Sequence, residues 1–453
     1  MKVRTSAWIA GLIVLPIATA GHAQNWPAFR GPQMNGVCDS ASLPVEWSAD
    51  ERIVWKIALP GMGWSQPIAW DGKIYLTLAV TDKQPKPRPG DFGMGGSGPG
   101  GMFGSGVFST SPPDAKYRWR ILCLDGATGK IIWDRTAREG RPAIRIHANN
   151  TYASETPATD GQRLIASFGM TGIYCYDLAG TLLWTKDLGA YPTHWGWGTA
   201  SSPVIHDGRV FIQCDNDKSS FLVALDVKTG DELWRATREE KTNWGTPYIW
   251  KSKSRTELVA AGGTKMRSYD PRTGKMLWGM NACGRTAITP VGDEELLYVD
   301  SADRLTGGRG ILAAIKPGAS GDITPAAGQD SGQFVAWSVP LNYYRVASPL
   351  LYEGCLYLLE QQSGTIRCLD AKTGKLNYRQ RLTGPRGFTA SPWAAGGKVF
   401  CLDETGLTIV LQPGPTLQVI GNNRLDEMFW SSAAVVGDNL LLRGRDNLYC
   451  IGK

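Results

Sequence analysis

The sequence predicts an all-β fold, an eight-bladed β-propeller of four-stranded antiparallel blades with its ring closed by an N-terminal strand. Three observations predict it: an element of ten or eleven residues recurs along the chain, hairpin signals precede its copies, and the two chain ends carry complementary fractions of one unit. Composition agrees, since Gly 55, Trp 18 and Tyr 15 in 453 residues suit short strands joined by tight turns.

The recurring element reads "CLDGATGKIIW" (123–133), "CYDLAGTLLW" (175–184), "ALDVKTGDELW" (224–234), "SYDPRTGKMLW" (268–278) and "CLDAKTGKLNY" (368–378). Its aspartates, Asp125, Asp177, Asp226, Asp270 and Asp370, are 52, 49, 44 and 100 residues apart, so the last step spans two units. A degenerate copy at 313–337 fills that gap with an enlarged turn, and weaker copies follow at 409–420 and 448–453. Eight units result.

Each unit also carries an upstream hairpin entered through a small residue and proline, as in "SSPVIHDGRVFIQC" (201–214) and "ASPLLYEGCLYLLE" (347–360). The Asp-Gly and Glu-Gly pairs between β-formers supply the positive φ that tight hairpins require. The chain stops after "LYCIGK" without a fourth strand for the eighth blade, whereas "IVWKIAL" (53–59) resembles a fourth strand with no preceding three. The N-terminal strand is therefore expected to complete the last blade and remove the free sheet edges.

Within the element, Asp226 is expected to accept hydrogen bonds from backbone N–H groups of the turn at 228–230. Gly230 supplies a left-handed residue, and Trp234 packs against the next blade. A reactive site is seldom copied five times around a ring, so these residues are structural. Cys123, Cys175, Cys368 and Cys450 share one place in the repeat and read as buried strand residues; the nine cysteines include no CxxC, CxxCH or vicinal pair.

The first residues have the form of an export signal: Lys2 and Arg4, an apolar run from Ala7 to Ala20, and the small-residue pattern Gly21-His22-Ala23. The expected organisation is a signal peptide (1–23), an N-terminal arm (24–52) lying on the outside of the ring, and the propeller (53–453). A flexible Gly/Pro-rich insertion (83–114) interrupts the first blade between its second and third strands. No later stretch approaches 20 uninterrupted apolar residues, so the body is not membrane-embedded. Formal charge falls from +7 to +5 without Lys2 and Arg4, with both signs interspersed, which is no nucleic-acid footprint. The protein is expected in the periplasm or outside the cell, as a monomer.

The repeated "ALDxxTGxxxW" element resembles the tryptophan-docking motif of quinoprotein-type propellers, the superfamily that holds PQQ-dependent dehydrogenases and BamB-like assembly factors. "NWPAFRGP" (25–32) and "HANNTYASETP" (147–157) resemble exported PQQ-binding-like β-propeller repeat proteins of bacteria. For the alcohol dehydrogenases the resemblance implies a vicinal disulfide over the cofactor, calcium on acidic and amide side chains, and an aspartate base. The Cys-Cys pair is absent; Glu155, Asn243, Asp300, Asp303 and Arg304 stand on funnel loops without a dehydrogenase motif. No catalytic residue is assigned. His147, His194 and His206 lack ligand spacing for zinc, and no metal site is expected.

The loops that enter each blade converge on one mouth of the central channel. They carry the candidate ligand-binding residues Trp64, His147, Asn150, Tyr152, Trp197, Trp244, Arg285, Tyr344, Arg345, Arg386 and Trp430, an aromatic and arginine set suited to stacking, cation–π contact and bidentate hydrogen bonds. Trp195, Phe388 and Phe429 accompany them. These residues either grip a ligand or plug the channel and pack the blade tops. The expected function is a non-catalytic binding or scaffold propeller of the periplasm or cell envelope that engages a protein, peptide or saccharide at the funnel, with no cofactor. The alternative is a PQQ-dependent alcohol or sugar dehydrogenase using PQQ with calcium.

Overall fold

Eight four-stranded antiparallel sheets follow one another around a central axis in the computed structural model, which describes residues 25–82, 86–87, 112–147, 149–282, 284–302, 309–343 and 345–452. The first 24 residues, most of the 83–114 insertion, Asp303, Arg304 and Tyr344 lie outside the described residues. Blade 1 runs Ile68–Trp70, Lys73–Val80, Tyr117–Asp125 and Ile131–Gly140, from the axis outward. Blade 8 takes Ala434–Val436, Asn439–Arg443 and Asn447–Ile451 from the C-terminal end, and its outer strand is Ile53–Ala58. Trp55 stands opposite Cys450 in that pairing, the register in which Trp133 faces Cys123, so the N-terminal strand closes the ring as expected.

The recurring element works between neighbours. Asp226 Oδ1 accepts from the N–H groups of Lys228 (2.7 Å) and Thr229 (3.1 Å), while the Gly230 N–H goes instead to the Asp226 carbonyl at 2.9 Å. On the exposed Asp125 the Thr128 hydroxyl and N–H hold the carboxyl below its ordinary range. In blades 1, 2, 3, 5 and 8 the outer-strand indole lies on the turn of the next blade: a Cβ added at Gly230 would stand 2.7 Å from the Trp184 ring, and Gly274 and Gly374 face Trp234 and Trp337 in the same way. The Nε1 of Trp184 donates to the Val227 carbonyl at 3.1 Å. Across the sheet, the residue opposite the tryptophan is small, Cys175 for Trp184 and Ala224 for Trp234, because the ring fills that position.

Trp278 departs from this pattern. Blade 5 has the enlarged turn, and a Cβ added at any of its glycines would not meet the Trp278 ring; the indole turns into its own blade and donates to Glu257 Oε2 at 2.7 Å. The enlarged turn reaches back and lays Gly321–Asp322 parallel to Trp278 and Gly279, which leaves Trp278 fully buried.

The blades meet on a belt of hydroxyls. Thr156 Oγ1 accepts from the Gln66 N–H at 2.9 Å, and Ser202 accepts from Thr156 (2.9 Å), Thr246 from Ser202 (3.0 Å) and Thr289 from Thr246 (3.3 Å). Ser348 accepts from Thr289 (3.1 Å), Ser391 from Ser348 (3.0 Å) and Ser432 from Ser391 (3.0 Å). The Gln66 amide, donating to the Ala433 carbonyl, joins blade 8 to blade 1. A proline follows the belt residue in every blade but the eighth, where Ala433 stands. Proline has no N–H to satisfy next to the axis and holds the preceding residue extended.

The N-terminal arm does not run outside the ring; it crosses the base. Trp26 exchanges backbone hydrogen bonds with Ala69 of blade 1 at 2.9 Å in each direction, and Val37–Cys38 pairs in parallel with Ala394 and Ala395 of blade 7. Between them Arg30 N donates to Gln66 Oε1 at 2.8 Å, which draws the arm under the belt. Burial of Trp26, which is inaccessible to solvent, anchors the crossing; Trp→Ala in a core costs about 3–5 kcal/mol.

Two glycines with the same left-handed backbone separate conformational from steric cost. Gly208 (φ 71°) has open space where a methyl would stand, whereas Gly230 (φ 76°) has the Trp184 ring. Gly208→Ala is expected to cost about 1 kcal/mol and Gly230→Ala about 3 kcal/mol, read as shifts of the urea unfolding midpoint. Ser348→Ala, which strands the buried Thr289 N–H, is expected to cost about 1–2 kcal/mol by the same measurement.

Candidate functional site

The entry loops and the belt enclose an axial cavity of about 200 Å³. Phe29 of the arm forms its floor, the belt hydroxyls its wall, and Trp64, Trp197, Trp244 and Trp430 a collar at the mouth. Trp64 packs against Trp430 with ring centroids 5.1 Å apart, and Trp197 against Trp244 at 6.1 Å. Three of the collar indoles are anchored by their edges: Trp64 Nε1 donates to the Asn149 carbonyl (2.9 Å), Trp244 Nε1 to the Gly198 carbonyl (2.9 Å) and Trp430 Nε1 to Glu404 Oε2 (3.3 Å). They therefore offer ring faces to the lumen.

His147 stacks on Trp197 with centroids 4.8 Å apart and planes 18° apart. Its Nδ1 accepts from the Asn149 N–H at 3.2 Å, which puts the proton of the neutral ring on Nε2. Burial, and secondarily the Arg145 charge, pushes its pKa down to about 4, so the ring is neutral at pH 7. Asn150 holds the "HWGWG" loop (194–198) through Nδ2 contacts to the carbonyls of Trp197 (2.7 Å) and Thr199 (3.1 Å). Gly198, at φ 83°, has no room for a Cβ against Ile146 and Asn150.

The structure thus brings Trp64, His147, Asn150, Trp197, Trp244 and Trp430 to one cavity. It does not bring the rest of the expected set there. Tyr152 is buried outside the cavity, its hydroxyl donating to the Ile144 carbonyl at 2.7 Å and its ring edge-on to Tyr117 at 4.9 Å. Arg345 is buried in an ion pair with Asp300. Arg386 lines a separate surface depression with Arg381 and Gln362, and Arg285 is absent from the cavity wall. Phe388 and Phe429 are fully buried blade packing. Two contributors went unassigned: the belt, whose signal is the Ser/Thr-Pro entry of successive units, and Phe29, inside "NWPAFRGP".

Among the described residues no Asp, Glu, Lys or Arg lines the cavity. That bears on PQQ, a tricyclic tricarboxylate, because a buried polyanion needs cationic partners. Among the described residues, those suited to calcium are engaged elsewhere. Asn243 Oδ1 accepts from the Thr286 N–H (3.0 Å) and its Nδ2 donates to the Lys241 carbonyl (2.8 Å). Glu155 and Asn243 line a separate pocket of about 30 Å³, away from the cavity. Among the described residues, the side chains do not fit PQQ with calcium.

An eight-bladed ring with repeated Asp-Gly-Trp turns defines a propeller of the quinoprotein and BamB class. The chain belongs to the family described as outer membrane protein assembly factor BamB, whose model matches residues 48–244 and 217–316, together more than half its length. No curated protein matches the sequence. Among solved structures, BamB from Moraxella catarrhalis is 12% identical with a TM-score of 0.58, covering 88% of this chain and 97% of that one. Quinohemoprotein alcohol dehydrogenase from Comamonas testosteroni is 12% identical with a TM-score of 0.60, covering 96% and 81%. A europium-containing methanol dehydrogenase is 10% identical, also at 0.60, covering 95% and 98%. These likenesses establish the fold. No helix among the described residues is long and apolar enough to cross a membrane.

Glu155 is a buried acid whose pKa burial raises to about 7, the Thr199 hydroxyl offsetting part of the effect. Its folded pKa lies above its unfolded one, so its contribution to stability is fully present below about pH 4.5 and is lost as pH rises through 7. Glu155→Gln is expected to stabilise the protein by about 2 kcal/mol at pH 8 and to change little at pH 4, measured as urea midpoints at both values.

Proposed function

We propose that this chain is a non-catalytic binding propeller of the cell envelope, exported by its N-terminal signal, which captures an uncharged group of a protein, peptide or saccharide partner in the axial cavity. One observation carries this reading: the cavity wall combines aromatic faces with hydroxyls and, among the described residues, no ionisable pair that could transfer a proton. His147, neutral and stacked, has the character of a wall residue. Membership of the BamB family supports a protein partner in the envelope. The alternative, a PQQ-dependent alcohol or sugar dehydrogenase, draws support from the fold alone.

Two measurements separate the readings. Titration of the purified protein with PQQ and calcium is expected to give no stoichiometric absorbance change and no dye-linked turnover of alcohols or sugars. Stoichiometric PQQ with turnover would overturn the proposal. In capture from envelope extracts, Trp244→Ala is expected to lose at least tenfold of the bound partner while Arg345→Lys keeps it. Retention by Trp244→Ala would show that the collar is packing only.

A further inference from the structure

The shape of the cavity narrows the ligand further, and this inference rests on the binding role proposed above. Each belt hydroxyl accepts a backbone N–H, and none of the seven hydroxyl protons of Thr156, Ser202, Thr246, Thr289, Ser348, Ser391 and Ser432 has an acceptor among the described residues. All seven residues line the same cavity, so their donors form an annulus around the axis. A further hydroxyl in the wall, Thr389 Oγ1, has no hydrogen-bond partner among the described residues. Above the annulus stand indole faces and below it the Phe29 ring.

A ligand that satisfies this arrangement must be uncharged, ring-shaped, apolar on both faces and polar all round its edge. An aromatic or proline side chain fills the space but leaves the hydroxyl annulus unsatisfied, and a carboxylate or amine enters a wall with no opposite charge. A pyranose has C–H faces for stacking and hydroxyls around its perimeter. We propose that the cavity binds a neutral saccharide, with one hexopyranose unit lying across the channel at the level of the belt, between Phe29 and the tryptophan collar. A volume of about 200 Å³ holds one such ring; pockets that enclose drug-sized ligands run to roughly 300–1,000 Å³.

The next unit of the chain has a platform. Trp195, two residues from Trp197 in the same loop, is 45% exposed and adopts a left-handed backbone (φ 47°, ψ 23°), unusual for a bulky residue. Its ring stacks on His194 with centroids 4.7 Å apart, which fixes one face and leaves the other for a second sugar.

The test is tryptophan fluorescence and calorimetric titration of the full chain with glucose, galactose, mannose and N-acetylglucosamine, their β-1,4- and α-1,4-linked dimers, and glucuronate. Saturable binding of at least one neutral sugar is expected, with glucuronate at least tenfold weaker and the preferred dimer tighter than its monomer. Thr389→Val, which removes a hydroxyl with no partner among the described residues, is expected to keep the unfolding midpoint and weaken binding roughly three- to tenfold. Trp197→Ala should weaken it more than tenfold, and Trp195→Ala should erase only the advantage of the dimer. Absence of binding by every neutral sugar overturns the inference, as does binding that Trp197→Ala and Thr389→Val leave unchanged. If sugars fail while an envelope protein still depends on Trp244, the saccharide assignment falls and the binding role stands. Oxidation of the bound sugar would overturn both.

Discussion

Everything in this ring depends on how eight sheets can approach one axis without leaving their backbone groups stranded there. The innermost strands are short and mutually inclined, so they do not hydrogen-bond into a continuous barrel. The belt of serine and threonine hydroxyls takes over that task, blades 1 to 7 each handing an N–H to the side chain of the next and the Gln66 amide closing the ring onto blade 8. A buried N–H with no acceptor costs about 1–3 kcal/mol, so a belt of such links makes the register of the blades interdependent. The same hydroxyls fix the bore of the channel, and a larger polar side chain in their place would close it. Geometry that holds the fold together has thus also set the polarity of the cavity.

At the periphery a second device couples neighbours in the same direction. Glycine in the turn of one blade and tryptophan on the outer strand of the previous one form a single unit that neither blade completes alone. Where no glycine of the blade 5 turn lies under the indole, the buried Glu257 takes the Trp278 N–H and a short parallel strand covers the ring. The fold therefore tolerates loss of a copy only when both the indole face and its N–H find substitutes.

The blade count and the ring closure were legible in the sequence because both arise from local turn chemistry repeated at a readable spacing. The candidate site was half legible. Aromatic residues on entry loops announced Trp64, Trp197, Trp244 and Trp430, but loop position does not say which way a side chain turns. Tyr152 looked like its neighbours on the loop and went into the packing around Tyr117. Arg345 looked available and was drawn to Asp300 from another blade. The belt hydroxyls were visible only as companions of proline, since the entry that recurs in each unit does not show that the side chain before the proline accepts an N–H from the neighbouring blade. The path of the arm was hidden for a similar reason: its partners, Ala69 and Ala394, are small residues with no pattern to mark them.

The arm beneath the belt changes what kind of object the channel is. With Phe29 seated under the hydroxyls and the chain pinned on either side at blades 1 and 7, the bore has a floor, and a ring that might have been a conduit is a cup. A ligand at the belt is then held between Phe29 and the indoles, and its release past the collar is what substitution of those indoles would change.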